Sequence, residues 1–517
     1  AAISGATVFL PTNTLGKEYY SLNYTQVSNE NSFSYSYFFV EATEPGSTIV
    51  QITPSKITKG GWPANVTQTV TLTQGQIYQV LATSDLTGST IKSIASGTGG
   101  CKKIAVFCGS GKISIGCTNP GSSDNLYQQM YPTSTWGKKY VLVPSINRPL
   151  LIANPPFNPP RFGPPAGNTN FFRIYRPDPT TIVTLNGVII PPASFITNYY
   201  QFSSSQTNIV DADKSILVAQ YFSTQGCSLN ADPHDPEMIY LNPVEQTVKD
   251  VTVNSMQPAA NTSITQHFIN VVLRNAGTGI SSFKIDGVTP PAAAFTVLPQ
   301  NSNYSYARIA FDGGSLIITD PPLASGAHRL SCDSGFNAIA YGFGSAESYG
   351  YSAGTNLKDL FQQIGVQSQY GTVTSPSICS NSPFRFKVSL PYCADSIRWD
   401  LSNLPGPPVP ANPIRYYTSC STGAGGPDST TVVNGKTIFW YSLPTLYSFS
   451  TAGSYTVNIT AYNTGSTLCG SAQDIEFVLN VFDPPNAGFS YTQPGCPADS
   501  VYFTDTTLTP NPNYQWS

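Results

Sequence analysis

The sequence predicts an all-β chain: three related β-sandwich-like modules in tandem, then sandwich domains of a second kind. Three observations carry this reading: a recurring phrase, a composition poor in charge, and runs of period-two alternation. Pro11-Thr12-Asn13-Thr14-Leu15-Gly16-Lys17-Glu18-Tyr19 returns as Pro132-Thr133-Ser134-Thr135-Trp136-Gly137-Lys138-Lys139-Tyr140, with six of nine positions identical. A fainter third copy runs from Pro243 to Val251, where Pro243 and Lys249 keep the six-residue spacing. Recurrence at about 110–120 residues is domain-sized, so the repeating unit is a whole module and not a solenoid turn.

Only 10% of the 517 residues are charged, far below the roughly 25% of an average soluble domain. Val, Ile, Thr, Tyr and Phe dominate the periodic stretches, which is strand chemistry. In Val66–Leu72, residues Val66, Gln68, Val70 and Leu72 share one face and Thr67, Thr69 and Thr71 the other. Ile77–Leu81, Ile182–Leu185 and Tyr455–Ala461 alternate in the same way. In the densest aromatic run, Phe33, Tyr35, Tyr37 and Phe39 share a face expected to point into a core. Only Asn356–Gln363 reads as helical.

The modules are expected over residues 1–125, 126–238 and 239–356. Asn186-Gly187 and Asp286-Gly287 stand at an offset of 100 residues, and each supplies the positive-φ pair of a tight hairpin. Each module closes on a short buried strand: Ile104–Phe107, Ile216–Phe222 and Ala338–Phe343. Trp136, inside the second phrase, is expected in a structural core. A linker with a short helix is expected over 357–371.

Residues 372–482 differ in character. They hold Ser396-Ile397-Arg398-Trp399-Asp400 and later Gly453-Ser454-Tyr455-Thr456-Val457-Asn458-Ile459-Thr460. A Trp in an early strand and a Gly-x-Tyr-x-Val strand later resemble the PKD-like extracellular domain, an Ig-like β-sandwich. The resemblance implies that Trp399 and Tyr455 pack between its two sheets. Trp399-Asp400 is not followed by the family's Gly-Asp-Gly turn, so this copy is divergent. A second copy begins at Asn486 and is cut at Ser517 just after Trp516, so the polypeptide is expected to continue.

The first part of the chain carries its own resemblance. Ala42-Thr43-Glu44-Pro45-Gly46-Ser47-Thr48-Ile49-Val50, Asp85-Leu86-Thr87-Gly88-Ser89, Ile104-Ala105-Val106-Phe107 and Thr133-Ser134-Thr135-Trp136-Gly137-Lys138 occur in that order. Residues 1–356 resemble the IgGFc-binding-protein N-terminal domain family. Followed by PKD-like domains, this combination is similar to large bacterial surface proteins exported by type IX secretion.

A net charge of −3 predicts no attraction to nucleic acid or to an anionic membrane. No apolar run reaches the ~18 residues a bilayer-spanning helix needs. The small-residue start Ala1-Ala2-Ile3-Ser4-Gly5 fits a mature end left by signal-peptide cleavage, hence a cell-surface or extracellular location. Ten cysteines fit export. Cys379 is expected to pair with Cys469, since they flank the first and last strands of their segment, and Cys393 with Cys420. Cys101, Cys108, Cys117, Cys227 and Cys332 are an odd set whose pairing stays open.

Gly350-Tyr351-Ser352-Ala353-Gly354 matches the nucleophile elbow, yet His234, His267 and His328 all precede Ser352 and the setting is all-β. A glycine-rich turn is the expectation, and no residue is assigned a catalytic role. Asp232, Asp235 and Glu237 offer hard oxygen ligands suited to calcium; the alternative is a solvated turn fixed by Pro233 and Pro236. No other cofactor is expected. Asn23, Asn65, Asn261, Asn303 and Asn458 lie in Asn-x-Ser/Thr sequons.

The expected function is non-enzymatic: adhesion to an extracellular glycan or glycoprotein through a multi-module β scaffold that exposes an aromatic or grooved patch on one module. The alternative is a structural subunit that associates with copies of itself in a filament or surface layer.

Overall fold

The computed structural model describes residues 5–26, 33–95, 101–117, 123–146, 167–227, 235–255, 264–311, 326–344, 347–357, 359, 362–368, 371–373, 376–404, 413–433, 436–463, 472–483, 489–492 and 502–505. They are nearly all β. The chain forms two compact units, one made chiefly of Ala1–Phe361 and the other of residues beyond it.

The first unit opens with β1 (Glu18–Tyr20), β2 (Ser36–Ala42), β3 (Ser47–Thr53), β4 (Gln68–Thr73), β5 (Ile77–Ala82), β6 (Thr90–Ile94), β7 (Ile104–Ile113) and β8 (Asp124–Gln129). These make two four-stranded sheets, ordered β1-β6-β3-β4 and β5-β2-β7-β8. The pattern then repeats with β9 (Lys139–Leu142), β10 (Asn170–Tyr175), β11 (Val183–Leu185), β12 (Val188–Ile189), β13 (Tyr199–Ser204), β14 (Asn208–Ala212), β15 (Leu217–Phe222) and β16 (Glu237–Tyr240). Their sheets, β9-β14-β11-β12 and β13-β10-β15-β16, match the first pair strand for strand.

The third copy has β17 (Val248–Asn254), β18 (Ile264–Arg274), β19 (Lys284–Ile285), β20 (Thr296–Val297), β21 (Tyr304–Phe311), β22 (Ala327–Gly344) and β23 (Glu347–Ser352). Here one 18-residue strand, β22, does the work that β6 and β7 share in the first copy. Its first half pairs with β17 and β19, and its second half with β18 and β23, so one continuous sheet of seven strands results. Gly335, at φ 78°, turns β22 between the two halves, a backbone conformation that costs glycine little.

The recurring phrase has a mechanical meaning. Gly16 donates its N–H to the Tyr19 hydroxyl at 2.8 Å, and that hydroxyl donates to the Ile104 carbonyl at 2.8 Å. In the second copy Tyr140 donates to the Ile216 carbonyl at 2.6 Å, while Ile216 N–H bonds the Gly137 carbonyl at 2.9 Å. Each phrase therefore pins the first strand of its copy onto the central strand of the facing sheet. Its proline serves the copy before: a Cβ at Gly16 would run into Pro132, and one at Gly137 into Pro243.

Cores follow the alternation. Phe38, Val40, Ala42, Val50, Ile52 and Val80 are buried in the first copy. This reverses the expectation for the aromatic run: Ser36, Phe38, Val40 and Ala42 face inward, Tyr37 and Phe39 are only half-buried, and Phe33 is exposed. Both faces of β2 are apolar, so composition did not distinguish them; pairing with β5 and β7 does.

In the second unit, β24 (Ile364–Ser368), β25 (Gly371–Val373), β26 (Ser377–Cys379), β27 (Phe384–Leu390), β28 (Ser396–Asp400), β29 (Ile414–Tyr416), β30 (Ser429–Val433), β31 (Lys436–Ser442), β32 (Gly453–Tyr462) and β33 (Ala472–Phe482) form two five-stranded sheets. Trp399 is fully buried, its ring 5.8 Å from that of Phe386 on the opposite sheet. Tyr455 is half-buried beside Phe449, with centroids 6.2 Å apart. The helix expected at Asn356–Gln363 lies partly outside the described residues, and sheet pairing begins just after it, Ile364 opposite Val388 and Val366 opposite Phe386. Phe489–Thr492 and Tyr502–Asp505, β34 and β35, pair as a hairpin.

Candidate functional site: an aromatic sheet face

Three backbone bonds fix the correspondence of the three copies: Met130 N–H to Val106 O, Leu241 N–H to Val218 O, and Ala353 N–H to Ala338 O. In that register Phe39, Arg173 and Asn270 share one position, opposite Phe107, Ala219 and Ile339. Gln79, Gln201 and Arg308 share the position beside it. Gly109, Tyr221 and Tyr341 share a third.

In the second and third copies this face receives the preceding copy. Arg173 is wholly buried; it ion-pairs with Asp85 at 2.7 Å, donates to the Asn23 carbonyl at 3.0 Å, and lies 4.6 and 4.3 Å from the ring centres of Tyr24 and Tyr199. Tyr221 donates to the same Asn23 carbonyl at 2.6 Å. One copy later, Asn270 and Arg308 donate to the Pro144 carbonyl at 3.3 and 3.1 Å, and Tyr341 accepts from Ile146 N–H at 3.0 Å.

The first copy has traded these donors for rings. Phe39, Phe107 and Tyr127 stack, with centroids 4.8 Å apart for Phe39–Phe107 and 5.6 Å for Phe107–Tyr127. Phe9 closes edge-on over Phe107 at 6.0 Å and is 72% exposed. Tyr37 lies across Gly109, where a Cβ would meet its hydroxyl, and donates to Leu126 O at 2.9 Å. Tyr37, Phe39 and Tyr127 are half-buried, Ile77 beside them is exposed, and Glu41 is the acid on this face. Burial first, then the Glu41 carboxylate, push the Tyr127 phenol up. Chemically this is a weakly charged aromatic platform, suited to apolar and ring contacts and not to proton transfer.

The residues singled out in the sequence lie elsewhere. Asp235 and Glu237 are buried at the start of β16, not in a solvated turn, because Glu237 already pairs within the sheet opposite Phe222; Asp232 lies outside the described residues. Among the described residues no three His, Cys, Asp or Glu side chains could hold a metal ion. Ser352 is the buried last residue of β23 and accepts from Asn242 Nδ2 at 2.9 Å, a strand end and not a strand–turn–helix elbow. Trp136 is buried against Tyr20 and Tyr175.

Cys117 and Cys227 are bridged, as are Cys393 and Cys420, and Cys101 is disulfide-bonded. Cys108 and Cys332 are buried free thiols. Cys379 is free, which corrects its expected pairing with Cys469, itself outside the described residues. Cys379 sits beside Phe482 in a parallel pairing at the far end of β33 from Ala472. The sequence could not show that β26 joins the last strand at that end.

A sequence profile described as IgGFc binding protein matches residues 5–342. The chain belongs to the IgGFc-binding protein family. The family is one of non-enzymatic binding domains of extracellular type. Within the IgGFc-binding region the aromatic platform and both copy-to-copy contacts lie inside the matched residues. No curated protein matches the chain in sequence. Among solved structures, a membrane-anchored protein of Corynebacterium diphtheriae is similar at 9% identity, covering 86% of this chain and 97% of that one, with a TM-score of 0.15. Dimeric latent PorU of Porphyromonas gingivalis is similar at 10% identity, covering 74% and 32%, with a TM-score of 0.11. No helix of the described residues is long and apolar enough to cross a membrane.

Proposed function

We propose that this chain is an extracellular adhesion protein, and that the aromatic platform of its first copy binds a glycan or glycoprotein. The single observation that carries the reading is the exchange on one sheet face. Where the second and third copies hold Arg173 with Tyr221 and Arg308 with Tyr341, the first presents Phe9, Phe39 and Tyr127 around the buried ring of Phe107. Stacked rings offer contact area at low entropic cost to a sugar face or a protein side chain. We propose further that the second unit is a PKD-like spacer and that export follows the type IX route.

The test is a triple variant, Phe9→Ala with Phe39→Ala and Tyr127→Ala, screened beside the parent on immobilised glycans and mucin-type glycoproteins. The expected result is a ligand that the parent binds and the variant loses by tenfold or more, a difference of about 1.4 kcal/mol. Equal binding by both would remove the platform from the reading.

A second reading rests on the same face. Because its counterparts each receive a neighbouring copy, it is also placed to receive another molecule of this chain, giving a head-to-tail structural subunit. Sedimentation of the parent distinguishes the two: concentration-dependent growth that the triple variant abolishes supports self-association, and a monomer at all concentrations supports adhesion.

A further inference from the structure

The contact between the first and second copies is filled with rings. Tyr20 packs on Trp136 and Tyr175 with centroids 6.1 and 5.7 Å away, and Tyr131 points its hydroxyl at the Tyr240 carbonyl. One copy on, the register replaces Tyr20 by Val141, Tyr175 by Val272, Tyr131 by Asn242 and Leu217 by Asn337. A ring is lost at three of the four positions, and at the fourth an apolar side chain gives way to an amide. A cavity of about 30 Å³ remains, lined by those four residues together with Gln220 and Asn270.

The lining is mixed, since Val143, Leu241, Ala338 and Ile339 add apolar surface to the four amides, and its hydrogen bonding is incomplete in one sense only. Asn242 Nδ2 donates to Ser352 Oγ at 2.9 Å and Gly354 O at 2.7 Å; Asn337 Nδ2 donates to Asn242 O at 3.2 Å and Pro243 O at 2.9 Å. Those bonds fix both amide orientations, since flipping either would set oxygens against oxygens. Asn242 Oδ1 and Asn337 Oδ1 are then buried acceptors without a donor. An orphaned buried acceptor costs about 1–3 kcal/mol, so a donor is needed at both.

We propose that the cavity is a built water site, in which ordered water donates to Asn242 Oδ1 and Asn337 Oδ1 and completes the contact between the second and third copies. The volume suits about two water molecules, given the roughly 10–15 Å³ that each requires. The two equivalent contacts thus differ in kind: the first is closed by aromatic packing, the second by solvent.

The test is a crystal structure of the full chain from crystals soaked in rubidium chloride. The expected result is ordered density without anomalous signal, at about 2.7–3.2 Å from both oxygens. An empty cavity would overturn the proposal, and an anomalous peak would replace water by a monovalent cation. Asn337→Leu, which restores the residue found at Leu217, is expected to abolish that density; density unchanged in this variant would also count against the bridge.

Discussion

Arg173 on β10 and Arg308 on β21 hold the same carbonyl position from neighbouring strands: Arg173 Nη1 reaches Asn23 O at 3.0 Å, and Arg308 Nε reaches Pro144 O at 3.1 Å. Asn23 and Pro144 each follow the phrase tyrosine, Tyr19 or Tyr140, by four residues. The cation has moved one strand sideways between copies while its target stayed fixed, so the contact selects the interaction and not the residue number. Arg173 also serves Asp85, Thr87, Thr25 and Gln201. Arg173→Ala leaves Asp85 without its guanidinium and should cost about 3–5 kcal/mol. Arg173→Lys should recover only part of this, because one ammonium cannot span that fork of acceptors. Urea midpoints of the two variants check the order; a loss below about 1 kcal/mol for Arg173→Ala would contradict the assignment.

The phrase glycines make a paired prediction. A methyl group at Gly16 or Gly137 would collide with Pro132 or Pro243, both held in backbone turns. Gly16→Ala and Gly137→Ala should therefore each destabilise by about 1–3 kcal/mol, through overpacking and not through helix or turn preference. Thermal melting of both variants should show similar losses. A harmless alanine at either site would mean that the proline yields.

The same residues explain what was legible in the sequence. Pro, Gly and Tyr recur because each makes a contact that tolerates little change, so the repeat could be read in one chain without relatives. The third copy is faint because Val248 and Val251 stand where Gly and Tyr would, and Val251 instead packs against Gly354. The candidate face was not legible. Its rings alternate with an equally apolar inner set on β2, and only the partner strands decide which set is buried. The role of Arg173 was hidden for another reason: its acceptors lie on average a hundred or so residues away in the chain, as the pair Arg173–Asn23 at a separation of 150 shows. Cys379 was expected to meet Cys469 because the two flank the first and last strands, yet β26 runs parallel to β33 and sets Cys379 beside Phe482 instead.

The bridge between Cys117 and Cys227 spans 110 residues and joins the first two copies. Beside it, Ile115 N–H bonds Thr224 Oγ1 at 2.7 Å and Thr224 N–H bonds Ile115 O at 2.9 Å. Closing so long a loop restricts the unfolded chain, and a typical bridge contributes about 2–4 kcal/mol. Replacing both cysteines by serine should lower the melting temperature by several degrees while leaving the Ile115–Thr224 pair in place. Amide hydrogen exchange at Thr224 reads that pair directly: protection retained supports a bridge that reinforces an existing contact, and protection lost would make the disulfide its cause.

Glu237 gives the pH dependence. It is wholly buried on β16, and neither carboxylate oxygen makes a hydrogen bond. Burial, then the charges of Asp124 and Asp235, hold its carboxyl well above the usual carboxylate range, and the nearby Met238 N–H offsets this only in part. A raised folded value means that the native state keeps its proton while the unfolded chain has already released one. The contribution to stability is therefore complete below the ordinary carboxylate range, near pH 4, and is lost as pH rises through the raised folded value. Glu237→Gln removes the ionisable group without changing shape. The variant should be more stable than the parent at neutral pH, and the advantage should shrink as pH falls toward about 4. Melting temperatures of both proteins between about pH 4 and 9 decide the matter. Parallel curves would mean that Glu237 titrates alike in both states, and a variant less stable at neutral pH would mean that the carboxylate is satisfied where it lies.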